Sequence, residues 1–196
     1  MIVKGINRAV FLDRDGTISP DEFGYIRDPE GYHLYPETGE ALRILAALNY
    51  KIIIVTNQSG IARAYLSLEE LQAVHQKMRD LIAREGVRVD GVYFSPYHIE
   101  GIVEPYNIHH EDRKPGIGMY KQAHRDLGID PARSFMIGDR ETDIGFAINA
   151  GLKSILLKTG NGDGEMRKML AGKALKPDFI CENILCAAQL IQKYYS

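Results

Sequence analysis

Two aspartates lie two positions apart, directly after an apolar run near the start of the chain. The run Ala9–Leu12 is followed by Asp13 and Asp15 in the segment FLDRDGTI. A carboxylate can attack phosphorus and carry an aspartyl-phosphate. A second acid two residues further on can protonate the leaving oxygen and then activate water. The pair therefore predicts chemistry on a phosphate group.

Further polar residues follow other apolar runs. Thr56-Asn57-Gln58-Ser59 comes after KIIIV, Gly138-Asp139-Arg140 comes after FMI, and Lys114 starts the helical segment that precedes FMI. Ligands of open α/β sheets bind beyond the carboxyl ends of the strands, so we expect these residues to meet Asp13 in one crevice. A threonine hydroxyl, backbone N–H groups and a lysine can hold phosphoryl oxygens. Carboxylates plus substrate phosphate suit Mg²⁺, which also shields an anionic nucleophile from an anionic substrate.

The elements that must position these residues alternate along the chain. Runs such as IIIV are typical of strands covered on both faces, and the alternation predicts an α/β fold with a mostly parallel sheet. The predicted strands are Arg8–Leu12, Lys51–Val55, Gly91–Ser95, Ser134–Ile137, Lys153–Leu157 and Asp178–Ile180. The predicted helices are Thr38–Leu48, Ser67–Arg84, Ile117–Leu127, Glu141–Ala150 and Ile184–Lys193.

Three segments do not match either pattern. Ser19–Pro36 and Pro96–Gly118 are rich in turn-forming residues, and long loops of this kind in a compact domain are usually functional or disordered. Thr159–Pro177 is rich in glycine and lysine and is predicted to be a surface loop.

The totals place limits on the class of protein. The 196 residues suit one domain, 1–196, and a net charge of −2 gives no sign of a nucleic-acid or membrane partner. The chain has no apolar stretch of about 18 residues and no signal-peptide pattern at its start. Its two cysteines, Cys181 and Cys186, do not form a disulfide framework. We therefore expect a cytoplasmic monomer that acts on a small molecule.

Four segments together resemble the haloacid dehalogenase (HAD) superfamily of phosphotransferases. FLDRDGTI matches the Asp-x-Asp-x-Thr motif, and IIIVTNQSG matches the strand that ends in threonine. RKPGIGMY matches the lysine motif, and MIGDRETD matches Gly-Asp-x-x-x-Asp. The four occur in the right order between Val10 and Asp143. The resemblance implies a Rossmann-like three-layer α/β/α sandwich.

The resemblance also implies roles for the acids. Asp13 is expected to be the nucleophile and a Mg²⁺ ligand, and Asp15 the general acid and base, with its backbone carbonyl on the metal. Asp139 is expected to be the third protein ligand, with Asp143 supporting the site from behind. The alternative is that each acid is a helix cap or loop residue, which explains Asp143 equally well but not the other three together.

Thr56 and Lys114 are expected to hold the transferred phosphoryl group. The wider match, through GYI, VTNQSGIARAYLS and DGVYFSPYH, resembles the heptose 1,7-bisphosphate phosphatases and the related histidinol-phosphate phosphatases. That likeness implies no separate cap domain, so loops must close over a small phosphorylated sugar. The candidate substrate-binding residues are Asp21, Glu22, Tyr25, Asn57, Gln58, Ser59, Arg63, Arg113 and Arg140.

One segment departs from those relatives, which usually carry a Cys/His zinc site before Arg-Lys-Pro. Here the corresponding stretches are Ser95-Pro96-Tyr97-His98 and His110-Glu111-Asp112, without a cysteine. His98, His109, His110 and Asp112 are weak candidates for a nitrogen and oxygen metal site. Zinc is therefore doubtful, and hydrogen bonds and packing are the expected support of this loop.

Three alternatives stay open at this point. Histidinol phosphate would favour acids around its cationic groups, whereas arginines near the motifs favour a bisphosphate. Arg113 and Arg140 are the arginines suited to a second phosphate, unless they only form surface salt bridges. A polynucleotide 3′-phosphatase would need a basic track for its substrate. An inactive binding protein would typically have lost one of the motif carboxylates, and all are present.

Overall fold

The computed structural model describes residues 6–21 and 24–195. Within them six strands form a single sheet: β1 (Ala9–Leu12), β2 (Lys51–Asn57), β3 (Gly91–Ser95), β4 (Phe135–Gly138), β5 (Lys153–Leu157) and β6 (Phe179–Cys181). The strand order is β3-β2-β1-β4-β5-β6, and every neighbouring pair is parallel. This confirms the predicted α/β fold.

Helices alternate with the strands in the described part of the chain. They are α1 (Thr38–Ala47), α2 (Leu68–Arg84), α3 (Gly118–Leu127), α4 (Glu141–Ala150), α5 (Gly162–Leu170) and α6 (Ile184–Tyr195). Short 3₁₀ turns lie at Pro29–Gly31 and Pro131–Arg133. None of the helices described here has the length and apolarity needed to span a bilayer.

Successive side chains of a strand point to opposite faces, and the central strands are apolar on both. Val10 and Leu12 of β1 pack in a cluster with residues of α1, α2 and α6. Phe11, between them, packs in a second cluster with residues of α3 and α4. The sheet is therefore the middle layer of three, as the α/β/α prediction requires.

Local signals set the helix ends. Ser67 caps α2 by accepting a hydrogen bond from the Glu70 backbone N–H, and the Glu70 carboxylate accepts one from the Ser67 N–H. Gly128 and Gly151 end α3 and α4 in the left-handed conformation.

The prediction that Thr159–Pro177 is only a loop was wrong. Residues Gly162–Leu170 form α5, with Asp163 and Glu165 in its first turn and basic residues in its last. The sequence signal is weak because Gly162 and Gly164 lower helix propensity and Gly162 is the only buried residue of the helix.

The site is positioned by the order of the strands. The chain runs from β1 outward to β2 and β3, and then returns to the other side of β1 to form β4. The order thus reverses between β1 and β4, which opens a crevice beyond their carboxyl ends. Asp13 follows β1 directly and Asp139 follows β4 directly. Loops that follow β1 and β2 lie around this crevice.

Candidate active site

Asp13 is buried at the end of β1. Its backbone N–H donates to the Ile137 carbonyl at 3.0 Å, which ties it to the end of β4. The side-chain oxygen Oδ1 accepts from the Arg14 backbone N–H at 2.8 Å and lies 3.0 Å from Lys114 Nζ. Among the described residues the recorded contacts of this carboxylate all use Oδ1, so Oδ2 is left without a protein partner.

Lys114 is a buried cation between two carboxylates. Its Nζ lies 3.0 Å from Asp13 Oδ1 and 2.6 Å from Asp143 Oδ1, and it donates to the Val55 carbonyl at 2.9 Å. Burial opposes the charged form, but Asp13 and Asp143 outweigh it and raise the pKa of Lys114. The amine therefore stays protonated next to Asp13, as a group that stabilises a phosphoryl oxygen must.

Asp139 is fully buried at the end of β4. Its Oδ2 accepts from the Asn161 backbone N–H at 2.7 Å and from the Asn161 side-chain amide at 3.2 Å. Gly16 and Gly160 both adopt positive φ, and a Cβ on either would collide with Asp139 Oδ2. Two loops can therefore press against this carboxylate only because those positions are glycine.

The buried acids fit a divalent cation. Asp13, Asp139 and Asp143 each offer an oxygen within 4.8 Å of the others, and Asp139 Oδ1 is buried without a hydrogen-bond partner among the described residues. Burial, with neighbouring carboxylates adding to it, raises the pKa of Asp13 to about 8 and that of Asp139 to about 6. A hard cation would offset this crowded negative charge, and carboxylate oxygens are the ligands that Mg²⁺ prefers.

Asp15 lies beside this cluster with a side chain that is 22% exposed. Both carboxylate oxygens accept hydrogen bonds from the Arg14 guanidinium at 2.9 Å. Gln58 Nε2 donates to Asp15 Oδ2 and to Thr56 Oγ1, each at 2.8 Å. Gln58 therefore joins the end of β2 to the loop after β1.

Asn57 and Ser59, which follow Thr56, make contacts with different parts of the site. Asn57 donates to the Lys114 carbonyl at 3.2 Å and accepts from the Lys114 N–H at 2.9 Å, so its amide fixes the backbone that carries the lysine. Ser59 Oγ lies 2.8 Å from the Tyr25 hydroxyl, which closes the loop after β1 onto the loop after β2.

Two arginines reach the same cavity in different states. Arg140 donates to Asp21 Oδ2 at 2.7 Å, and Asp21 also accepts from Asn161 at 3.2 Å. Arg113 is half-buried and donates to the Tyr97 carbonyl at 3.3 Å, with no carboxylate partner recorded among residues 6–21 and 24–195. Burial lowers the pKa of Arg113, and the positive charges of Arg63 and Arg140 add to this effect. Among the described residues, Arg113 is thus a cation without a counter-ion at the cavity.

The cavity that these side chains enclose has a volume of about 470 Å³. Of the residues predicted from the sequence, the following line it: Asp13, Asp15, Asp21, Tyr25, Thr56, Asn57, Gln58, Ser59, Arg113, Lys114 and Arg140. Asp139 and Asp143 lie behind it, fully buried.

One predicted substrate-binding residue that the structure describes is not brought to this cavity. Arg63 points instead to His98 Nε2 at 3.1 Å and to Glu100 Oε2 at 3.0 Å, and it does not line the cavity. The long side chain has a carboxylate in reach on the neighbouring loop, which sequence spacing does not reveal. Glu22 lies outside the described residues.

The weak zinc candidates do not converge. His98 is engaged by Arg63 and by the Glu100 N–H, whereas His110 accepts from the Asp112 N–H at 3.1 Å. Within the described ranges the three acids Asp13, Asp139 and Asp143 are the group close enough to share a metal ion, and neither His98, His109, His110 nor Asp112 belongs to it. The loop contacts that are present are hydrogen bonds and ring stacking, such as Tyr97 on His110 with centroids 3.8 Å apart.

Several described residues of the site were not found from the sequence, among them Arg14, Asn161 and Thr142. Arg14 donates a hydrogen bond to Asp15, Asn161 donates one to Asp139, and Thr142 lines the cavity. Arg14 had a signal, since it lies between the two aspartates, and Thr142 lies between Asp139 and Asp143. Asn161 had none, because its segment was expected to be an exposed loop.

A buried histidine behind the site gives a prediction about pH. His75 of α2 packs edge-on against Phe94, and burial together with the Arg14 charge lowers its pKa from 6.5 to about 3. Between these values the unfolded chain binds a proton that the folded chain does not. Protonation of the unfolded chain therefore lowers the free energy of unfolding by about 1.4 kcal/mol per pH unit as the pH falls from 6.5 towards 3.

The His75→Gln variant is expected to show a flatter fall of unfolding free energy between pH 6.5 and 4.5 than the unmodified protein, in urea titrations at several pH values. His109→Gln changes an exposed histidine and is the matched control. Parallel curves for all three proteins would show that the buried imidazole does not have this effect.

Comparison with known proteins identifies the family of the chain. The HAD-hydrolase-like family model matches residues 112–187. The chain is 40% identical over 164 residues to the D-glycero-beta-D-manno-heptose-1,7-bisphosphate 7-phosphatase of Haemophilus influenzae, covering 82% of this chain and 88% of that protein. It is 39% identical over 190 residues to the D-glycero-D-manno-heptose-1,7-bisphosphate 7-phosphatase of Thermosynechococcus vestitus. That match covers 93% of this chain and 94% of that protein.

A solved structure agrees with these sequences. The D,D-heptose 1,7-bisphosphate phosphatase of B. bronchiseptica, crystallised with magnesium and phosphate, superposes with a TM-score of 0.81 at 29% identity and covers 95% of this chain and 99% of that one. The chain therefore belongs to the D-glycero-D-manno-heptose-1,7-bisphosphate 7-phosphatase family of HAD-like hydrolases, and it is a phosphatase.

Proposed function

We propose that the protein removes the C7 phosphate of D-glycero-D-manno-heptose 1,7-bisphosphate through a phosphorylated Asp13. The observation that carries this proposal is the placement of Asp13 beside a protonated Lys114 and a cluster of buried acids, with one of its carboxylate oxygens lacking a partner among the described residues. The relatives are named as phosphatases of this substrate, and the cavity at Asp13 has the size of a small-molecule site.

In the first step Asp13 Oδ2 attacks the phosphorus and the bond from phosphorus to the sugar oxygen breaks. The leaving oxygen takes the proton of Asp15, while Thr56 and Lys114 bind the equatorial oxygens, where negative charge must be stabilised. In the second step a water oxygen attacks the phosphorus, Asp15 takes the water proton, and the bond to Asp13 breaks. Phosphate is then released and both aspartates are restored.

Asp13, Asp139 and the backbone carbonyl of Asp15 would hold Mg²⁺, with Asp143 supporting them. When bound, Mg²⁺ supplies positive charge that neutralises the nucleophile and the phosphoryl oxygens. Asp143 also keeps Lys114 in place through its 2.6 Å contact and accepts from the Arg140 N–H at 3.0 Å, so it links α4 to the lysine.

Arg113 is the best placed residue for the phosphate that does not react. It lines the cavity, carries no counter-ion among the described residues, and precedes Lys114 in the chain. Arg140 lines the cavity too, but Asp21 already neutralises it. A guanidinium can bind a phosphate with two parallel hydrogen bonds, which gives both affinity and orientation.

The substrate is tested by kcat/KM with Mg²⁺ for both anomers of the heptose 1,7-bisphosphate, heptose 7-phosphate, histidinol phosphate and a 3′-phosphorylated oligonucleotide. We expect a preference for a bisphosphate of at least about tenfold over every other substrate. A flat profile, or a preference for histidinol phosphate, would overturn the proposed substrate while the phosphatase activity stands.

Arg113→Ala is expected to lower kcat/KM for the bisphosphate by on the order of 10²-fold, because it removes a charge-assisted contact. The loss with heptose 7-phosphate, which lacks the second phosphate, should stay below about threefold. Arg125→Ala on α3 changes a side chain that is 73% exposed and serves as the control. Equal losses with both substrates would contradict the assignment of Arg113 to the second phosphate.

A further inference from the structure

We propose that Arg14 is a positioning residue that fixes the carboxyl plane of Asp15 and selects Oδ1 as the oxygen that transfers the proton. This inference rests on the proposed function, in which Asp15 is the general acid and base. It assigns a role to the residue between the two aspartates, which the described mechanism does not otherwise use.

The contact between Arg14 and Asp15 is a two-point one. Nε donates to Oδ1 and a terminal NH2 donates to Oδ2, both at 2.9 Å. A planar guanidinium that meets both oxygens of a carboxylate fixes its rotation as well as its position. A lysine at this position would keep the charge but would leave the carboxylate free to turn.

The guanidinium is itself held rigidly. The Arg14 side chain is 1% exposed, and its central carbon lies 5.8 Å from the centre of the Tyr32 ring. The Arg14 carbonyl accepts from the Ile18 N–H and from the Ser19 hydroxyl, each at 3.1 Å. Both the backbone and the side chain of Arg14 are therefore fixed, so its guanidinium is less mobile than that of a surface arginine.

Stability alone is a poor reason for this burial. One terminal nitrogen, NH1, is buried with no hydrogen-bond partner among the described residues. Taking a guanidinium out of water with one nitrogen unsatisfied is unfavourable, and buried ion pairs are often replaced by apolar side chains without loss of stability. Orientation of the Asp15 carboxylate therefore explains the buried ion pair better than a gain in stability does.

Counting hydrogen-bond donors identifies the oxygen that carries the proton. Oδ2 accepts from both Arg14 and Gln58, so both of its lone-pair directions are used. Among the described residues, Oδ1 accepts from Arg14 Nε alone, which leaves one of its lone-pair directions open. Because Asp15 lines the cavity, Oδ1 is the atom that can give a proton to the leaving oxygen.

The test compares two leaving groups. A sugar alkoxide must be protonated as it leaves, whereas p-nitrophenolate is stable without a proton. We measure kcat/KM, which reports the steps up to phosphorylation of Asp13, for the heptose bisphosphate and for p-nitrophenyl phosphate. Arg14→Lys is expected to lower the value for the sugar phosphate by on the order of 10²-fold and that for the aryl phosphate by less than about threefold.

A second readout follows from the later step. Asp15 also takes the proton of the attacking water, so Arg14→Lys should slow dephosphorylation. Rapid mixing with p-nitrophenyl phosphate is then expected to show a burst of p-nitrophenolate close to one per active site. Equal losses for both leaving groups, without a burst, would show that Arg14 only supports the fold and would overturn the proposal.

Two further variants separate the possible failures. Asp15→Asn should show the same dependence on the leaving group, and adding Arg14→Lys to it should cause little further loss of kcat/KM. If Asp15→Asn shows no such dependence, the proposed role of Asp15 fails; if only Arg14→Lys lacks it, the positioning inference alone fails.

Controls address the fold. Circular dichroism and thermal unfolding establish that each variant is folded. If Arg14→Lys does not fold, Arg14→Gln carries the same comparison, because its amide keeps one donor but not the fork. Arg27→Lys, at an arginine that is 63% exposed, should change neither substrate.

Discussion

Asp13→Asn is expected to lower kcat with the heptose bisphosphate by at least about 10⁴-fold, because an amide cannot act as the nucleophile in place of the carboxylate. The substitution keeps the size of the side chain and removes a buried acid whose pKa is raised to about 8. The fold should therefore persist, and thermal unfolding without Mg²⁺ should be unchanged or shifted to higher temperature.

The covalent step is checked directly. Acid quenching of the unmodified protein with labelled substrate should trap a protein-bound phosphoryl group that hydroxylamine releases, and Asp13→Asn should trap none. Asp80→Asn, at an exposed aspartate of α2, is the matched control and should retain full activity. Substantial residual turnover or trapping in Asp13→Asn would exclude Asp13 as the nucleophile.

Lys114→Met is expected to cost about 10²–10³-fold in kcat/KM, the usual effect of removing a contact that stabilises transition-state charge. The amine lies 3.0 Å from Asp13, so a phosphoryl group on that aspartate comes within its reach. Methionine preserves most of the buried volume, which limits the loss from packing.

The same variant should also be less stable. Removing Lys114 leaves the carboxylates of Asp13 and Asp143 buried without their cation, and breaking one side of a buried ion pair costs about 3 kcal/mol or more. Urea unfolding without Mg²⁺ measures this loss. Lys121→Met, at an exposed lysine of α3, should change neither activity nor stability. A fall in kcat/KM below about threefold in Lys114→Met would contradict the proposed contact.

Much of the fold could be predicted from the sequence, for a physical reason. The strands are continuous apolar runs, and alternation with helices permits little other than a parallel sheet. Parallel strands place their carboxyl ends at one edge of the sheet, so Asp13, Thr56 and Asp139 were expected along that edge. The structure confirms that placement, and the catalytic roles stay predictions until the variants are measured.

The sequence could not predict which partners the long polar side chains choose. Arg63 donates to Glu100 instead of lining the cavity, and the Asn57 side-chain amide accepts a hydrogen bond from the Lys114 backbone N–H. Helix α5 formed where low helix propensity predicted a loop, and it brought Asn161 to Asp139. These choices depend on which groups lie within about 3 Å after folding, a distance that spacing along the chain does not fix.

The sequence by itself thus determined the phosphatase chemistry and the edge of the sheet where it lies, because residue type and strand period act locally. Only the tertiary structure decided the burial, the hydrogen-bond partners and the neighbouring charges of each group at that edge. It placed Lys114 between two buried acids, left Asp139 Oδ1 without a hydrogen-bond partner in the described part of the chain, and turned Arg14 back onto Asp15. Burial and the approach of charges from distant segments set those states, and both arise only when the chain has folded.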